Sequence, residues 1–223
     1  TSFQRVLNMK EGTLNRSYIA TMNNGITVND QVQRLMSLVD DECAAIKYTF
    51  RIDADADVKI CSYIDADVKN SDANYDEKFW NEISRSAMSN EAYIVTETKK
   101  TAFRICTGFN TSVYLDNTST NTEVKPGEKE KYVEQQFQFH AKRDSSITVY
   151  KYCSVTTSEN YEKSELAAAC LSNVSNLCAK GYETILNEQR IAWQKKWESS
   201  DIIIEGDVAA QQGIRFNIFQ LNQ

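Results

Sequence analysis

The sequence predicts a mainly β protein with a helical tail: an antiparallel β-sandwich followed by amphipathic helices. Two observations carry this. From the start to about residue 155, apolar side chains recur at alternate positions, the period of a strand. After about residue 158 they recur at the spacing of one helix face. The size fits: 223 residues, 41% hydrophobic and 25% charged, make one large folded domain or one domain with an appendage.

The first runs are Gln4 to Met9, Leu14 to Met22 and Val28 to Val39, with Asn24-Gly25 between the last two as a tight-turn signal. Ala44 to Ile52 places Ile46, Tyr48, Phe50 and Ile52 at strict two-residue spacing, and Val58, Ile60 and Ser62 continue the pattern. Further strands are expected at Tyr93–Thr98, Phe103–Phe109, Val113–Leu115, Val133–Ala141 and Ile147–Tyr152, at least nine in all. Asp116 to Glu130, rich in Asn, Thr and Ser around Pro126-Gly127, reads as a flexible loop. Ser158-Glu159-Asn160-Tyr161 offers a cap for a helix carrying Leu166, Cys170, Val174 and Leu177. Gly181 ends or bends it, and a second helix follows from Tyr182 with Trp193 and Trp197 one turn apart. Ile202–Ile204 reads as a short strand, and Gly206-Asp207 opens a third helix with Ile214, Phe216, Ile218 and Phe219.

Composition narrows the function. The formal charge of −6 argues against a general nucleic-acid binder, and no apolar run approaches the ~18 residues of a membrane span. His140 is the single histidine, so a metal site or triad needing two is excluded. The six cysteines form no CxxC pair and sit mostly in apolar segments, where reduced core thiols are expected. Asp53, Asp55 and Asp57 alternate like a calcium loop, but the central Gly is missing and Ile64 stands where the bidentate Glu belongs, which favours a solvated turn. The Trp193/Trp197 stripe could stack sugar rings, although core packing is the commoner use. His140, at the end of an alternating strand, reads as a surface or partly buried structural residue.

Three stretches go further: Glu11-Gly12-Thr13-Leu14-Asn15-Arg16-Ser17, the run from Ile64-Asp65-Ala66-Asp67 to Phe79-Trp80, and Trp193-Gln194-Lys195-Lys196-Trp197 running through Glu205-Gly206-Asp207 to Leu221. Together they resemble glycoside hydrolase family 65, in its maltose phosphorylase branch. Gln189 and Lys196 depart from the family pattern, which leads to a His and an Arg there.

The resemblance implies a galactose-mutarotase-like super-sandwich, with residues 1–157 as part of an N-terminal β-sandwich and 158–200 as a helical linker. Residues 201–223 would then start a catalytic (α/α)6-barrel whose remainder, with the general acid and the phosphate site, lies outside the chain. No catalytic residue is therefore assigned here. For the intact protein it implies inverting phosphorolysis of maltose to glucose and β-glucose 1-phosphate. Inorganic phosphate is the co-substrate, with no metal or organic cofactor. Kojibiose or trehalose as substrate, or a non-catalytic carbohydrate-binding or assembly module, are the alternatives. The expected partners are an α-linked glucose disaccharide, the chain's own barrel and a second copy in a homodimer, in the cytoplasm, with neither nucleic acid nor membrane. Within the chain, the best candidates for contact with sugar are Asn70, Asn74, Tyr75, Asp76 and Trp80. They lie on an Asn- and Asp-rich excursion that either shapes the acceptor side of the barrel entrance or packs the domain interface.

Overall fold

The computed structural model describes residues 2–69, 71, 77–120 and 122–223. Strands β1 (Ser2–Asn8), β2 (Thr13–Thr21), β3 (Thr27–Met36) and β4 (Cys43–Ile52) form a meander. The chain then crosses to a second layer as β5 (Ala56–Asp65) and returns through β6 (Trp80–Ala87), β7 (Ala92–Thr98) and β8 (Arg104–Leu115). Short strands β9 (Thr118–Ser119) and β10 (Lys125–Lys129) lead into β11 (Tyr132–Ala141) and β12 (Ser146–Thr157). The large sheet runs β1-β2-β3-β4-β12-β8-β7-β6, with β9 paired to β8, and the small sheet runs β10-β11-β5. Every pairing is antiparallel.

Strand alternation sends the two sides of the large sheet to different partners. On β12, Ile147 and Val149 enter the inter-sheet core with Phe50, Ile52, Val113 and Phe137. The intervening Tyr152, Ser154 and Thr156 face the helices: Tyr152 packs on Leu177, Tyr182 and Ile185, and the Thr156 hydroxyl donates to Leu166 O at 2.9 Å. Those helices are α1 (Leu166–Lys180) and α2 (Tyr182–Ser200). α1 lies so close to β8 that a Cβ on Gly108 would come within 2.8 Å of Cys170 Sγ, so the position tolerates no side chain without a shift. Gly181, at φ 76°, caps the end of α1 and starts α2.

Several local expectations are corrected. Asp116–Glu130 is not simply a loop, because it carries β9 and β10; Pro126 is tolerated there because β10 is an edge strand. Phe103–Phe109 and Val113–Leu115 are one continuous strand, β8, and β6 is a further strand with a bulge between Glu82 and Ser84. Ile202–Ile204 forms no strand. Its backbone is satisfied instead by Gln211, whose Oε1 accepts from Ile204 N at 2.7 Å and whose Nε2 donates to Ile202 O at 2.8 Å. Helix α3 (Val208–Asn222) follows, capped by Asp207 Oδ1, which accepts from Ala210 N. The expected cap at Ser158 is displaced too: α1 starts only at Leu166, and Ser158 Oγ accepts from Arg104 N at 3.0 Å. All six cysteines are free; Cys43, Cys106 and Cys170 are buried, while Cys61 is exposed.

Candidate functional site

Of the expected sugar-contacting residues, Asn70, Asn74, Tyr75 and Asp76 lie outside the described residues. Trp80 is half-buried as the first residue of β6, paired with Thr98. The base of the excursion is clamped. Asp67 pairs with Lys78 and, at 3.4 Å, with Lys131; these cations hold its carboxyl below the usual carboxylate range. Asp67 N also donates to Asp65 Oδ1, and Lys99 N to Phe79 O.

The three alternating aspartates close turns. Asp53 Oδ1 accepts from Thr27 N and Asp55 Oδ1 from Arg143 N, both at 2.8 Å. Asp57 meets the exposed His140 at 2.9 Å from Nδ1. Among the described residues no three His, Cys, Asp or Glu side chains group as metal ligands.

A polar and aromatic cluster lies elsewhere, where α2 crosses the β1–β2 turn and the end of β3. Gln189 is 1% exposed. Its Oε1 accepts from Leu38 N at 2.9 Å, while Nε2 donates to Met36 O at 2.9 Å and Gly12 O at 3.3 Å. One turn on, Trp193 stacks between Trp197 and Phe219 at centroid distances of 6.0 and 4.5 Å, which ties α3 to α2. Trp193 is therefore core, as the commoner use of such a stripe predicts. Trp197 Nε1 donates to Met9 O at 3.1 Å, and Arg190 pairs with Glu11. Arg215 grips Asp201 with two near-parallel bonds of 2.8 and 2.7 Å, joining α3 to the end of α2. That guanidinium holds the Asp201 carboxyl below its usual range.

Two open clefts flank this cluster. One, of about 1060 Å³, is walled by Met9, Glu11, Arg190, Trp197, Asp201 and Arg215. The other, of about 950 Å³, is lined mainly by apolar groups that include Leu7, Leu14, Trp193 and Phe219. Sequence reasoning reached the tryptophans and Gln189 but had no signal for their convergence on the β1–β2 turn, since that contact spans some 180 residues of chain.

The family profile described as "Glycosyl hydrolase family 65, N-terminal domain" matches residues 1–196. The chain is 33% identical to maltose phosphorylase of Bacillus subtilis (strain 168) over 98% of its length. It is 30% identical to alpha,alpha-trehalose phosphorylase of Thermoanaerobacter brockii over 99%. It spans 28% and 29% of those two proteins. A solved structure, "Putative kojibiose phosphorylase from human microbiome", shares the fold: TM-score 0.86 at 19% identity, covering 100% of this chain and 29% of that one. Among the described residues no helix is long and apolar enough to cross a membrane. With its fold shared and its first 196 residues matched, the chain belongs to glycosyl hydrolase family 65, through that family's N-terminal domain.

Proposed function

We propose that these residues form the sandwich and linker of an inverting disaccharide phosphorylase, and that they act by holding its catalytic portion. The observation that carries the reading is the near-complete alignment with curated relatives named as phosphorylases. The 33% identity to maltose phosphorylase, against 30% and 26% to the trehalose and kojibiose enzymes, favours maltose as substrate. In the intact protein a carboxylic acid protonates the glycosidic oxygen as its bond to the anomeric carbon breaks. A phosphate oxygen attacks that carbon from the opposite face, yielding glucose and β-glucose 1-phosphate. Phosphate takes the place of the base-activated water of an inverting hydrolase. The acid belongs to the barrel, so this chain alone turns over nothing. It works in the cytoplasm as a homodimer.

The junction around Trp193 is the part suited to seating that barrel. Ile203 and Leu221, on the segments that flank the junction in sequence, are 76% and 86% exposed, and large exposed apolar groups are the usual material of an interaction surface. The clamped excursion, with Trp80 at its foot, is the candidate for reaching the sugar's acceptor side.

The deciding experiment is phosphorolysis by the intact protein of maltose, trehalose and kojibiose in parallel. β-Glucose 1-phosphate from maltose, with the highest kcat/KM of the three, is the expected result. Glucose release independent of phosphate would sink the reading. In the same protein Asn74→Ala/Tyr75→Ala should raise KM for the disaccharide with little change in kcat. Unchanged kinetics with a lowered Tm would assign the excursion to packing instead.

A further inference from the structure

The helix-side face of the large sheet runs on past the helices, and across β1–β4 it forms a small polar cleft. Antiparallel register aligns Gln4, Ser17, Gln31 and Thr49 in a row across those four strands. One step along the strands, Asn15, Gln33 and Lys47 make a second row. These side chains line a cavity of about 320 Å³, near the lower end of the roughly 300–1,000 Å³ usual for small-ligand sites.

The second row is tied down. Gln33 Nε2 donates to Asn15 Oδ1 at 3.0 Å, the Tyr182 hydroxyl donates to Gln33 Oε1 at 3.1 Å, and Lys47 Nζ donates to Glu183 Oε1 at 2.7 Å. In the first row Thr49 shares a bond with Thr148, whereas the side chains of Gln4, Ser17 and Gln31 make no hydrogen bond to another described residue. Free donors and acceptors thus stand beside a fixed wall.

The chemistry of that lining selects a ligand class. Of the two cations in the lining, Lys47 is paired with Glu183 and Arg16 stands 3.8 Å from the buried Asp30 carboxyl, so neither is left over for a phosphate backbone or another anion. A protein interface would centre on apolar and aromatic anchors, whereas the lining holds no aromatic residue and, as apolar ones, Val6 and Val32 alone. Amides and hydroxyls both donate and accept, as sugar hydroxyls do. Strand spacing of about 4.8 Å puts the four groups of the first row along roughly 14 Å, the reach of a disaccharide.

We infer that this cleft is a binding site for a neutral disaccharide, separate from the junction at Trp193. The polyhydroxyl chemistry follows from the lining alone; the choice of a glucose-built sugar rests on the phosphorylase reading.

The test is a titration of the ¹⁵N-labelled chain with maltose, followed on the side-chain amide signals of Gln4, Gln31 and Gln33. Saturable shifts of these signals are expected. Ser17→Ala/Gln31→Ala should weaken binding about tenfold at unchanged Tm, the effect of one or two lost hydrogen bonds. No shifts, or equal affinity in the variant, would overturn the inference. Shifts that follow protein concentration and ignore maltose would overturn it too, making the face a contact between copies. The same double variant in the intact protein should leave kcat for phosphorolysis unchanged. Activity without maltose shifts would remove the cleft and keep the phosphorylase reading, and shifts without activity would do the reverse.

Discussion

Gln189 holds two strand ends with one amide. It accepts from Leu38 N and donates to Met36 O and Gly12 O, so truncation leaves buried backbone groups without partners. Each such group costs about 1–3 kcal/mol, so Gln189→Ala should lose about 2–4 kcal/mol in urea unfolding. A loss below about 0.5 kcal/mol, the size of an ordinary surface change, would show that water replaces the amide. Asp30 is the opposite case. Its side chain is fully buried on β3, neither oxygen has a hydrogen-bond partner among the described residues, and Arg16 stands 3.8 Å away. Burial lifts its carboxyl above the ordinary carboxylate range, more than Tyr48, Arg16 and Tyr18 lower it. The folded chain therefore holds that proton more tightly than the unfolded one. The stability tied to this group is complete below the ordinary carboxylate range and is lost as pH rises through the lifted value. Asp30→Asn should then raise stability by about 1 kcal/mol at pH 7, the scale of one unmatched buried polar group, and change little at pH 3. Thermal melts of both proteins at the two pH values check the sign, and an equal effect at both would defeat the argument.

At the scale of elements, the contact between α2 and the β1–β2 turn depends on a missing side chain. Gly12 sits at φ 63°, and a Cβ there would fall 1.8 Å from Trp193 Nε1. Gly12→Ala must therefore accept the left-handed conformation, at about 1–2 kcal/mol, and also displace the indole. A double-mutant cycle with Trp193→Leu separates the two. The smaller side chain should relieve the clash but not the backbone strain, giving a coupling of about 1–2 kcal/mol; additive losses would mean that the indole is not what Gly12 accommodates. How much was legible follows the same logic. β4 announces itself because Tyr48, Phe50 and Ile52 all pack into the inter-sheet core while Ile46 continues the same alternation toward the cleft at Trp193, and burial is what writes a period into a sequence. β6 and β10 lie at sheet edges, and β9 pairs only with β8; backbone pairing holds them more than burial, so Lys125–Lys129 shows no alternation. Ile202–Ile204 looked like a strand on composition, yet it has no neighbouring strand and the Gln211 amide takes that part. The candidate site was legible in part, as the tryptophans, Gln189 and the Glu11-Gly12-Thr13 motif, each without its partner.

For the whole molecule, α3 is attached through few groups, and this sets an order of opening. Its buried residues are Ile218 and Phe219, the latter stacked on Trp193, and its other ties are the Asp201–Arg215 pair and the Gln211 amide bonded to Ile202 and Ile204. That pair is open to solvent, which screens it and leaves it little to contribute. The sheet is held differently: β8 and β12 share a long antiparallel ladder and are covered on one side by the small sheet and on the other by α1. Local opening free energy follows buried contact, so amides of Val208–Asn222 should exchange with deuterium well before those of β8 and β12. Phe219→Ala should speed exchange in α3 by a further tenfold or more while leaving β8 and β12 unchanged, since loss of a buried Phe costs about 3–5 kcal/mol and falls here on the local opening. If the rest of an intact phosphorylase seats on this junction, α3 in that protein should become as protected as the sheet. Equal exchange of α3 in both contexts would mean that the clefts beside Trp193 do not receive the barrel, and the seating would have to be sought elsewhere on the sandwich.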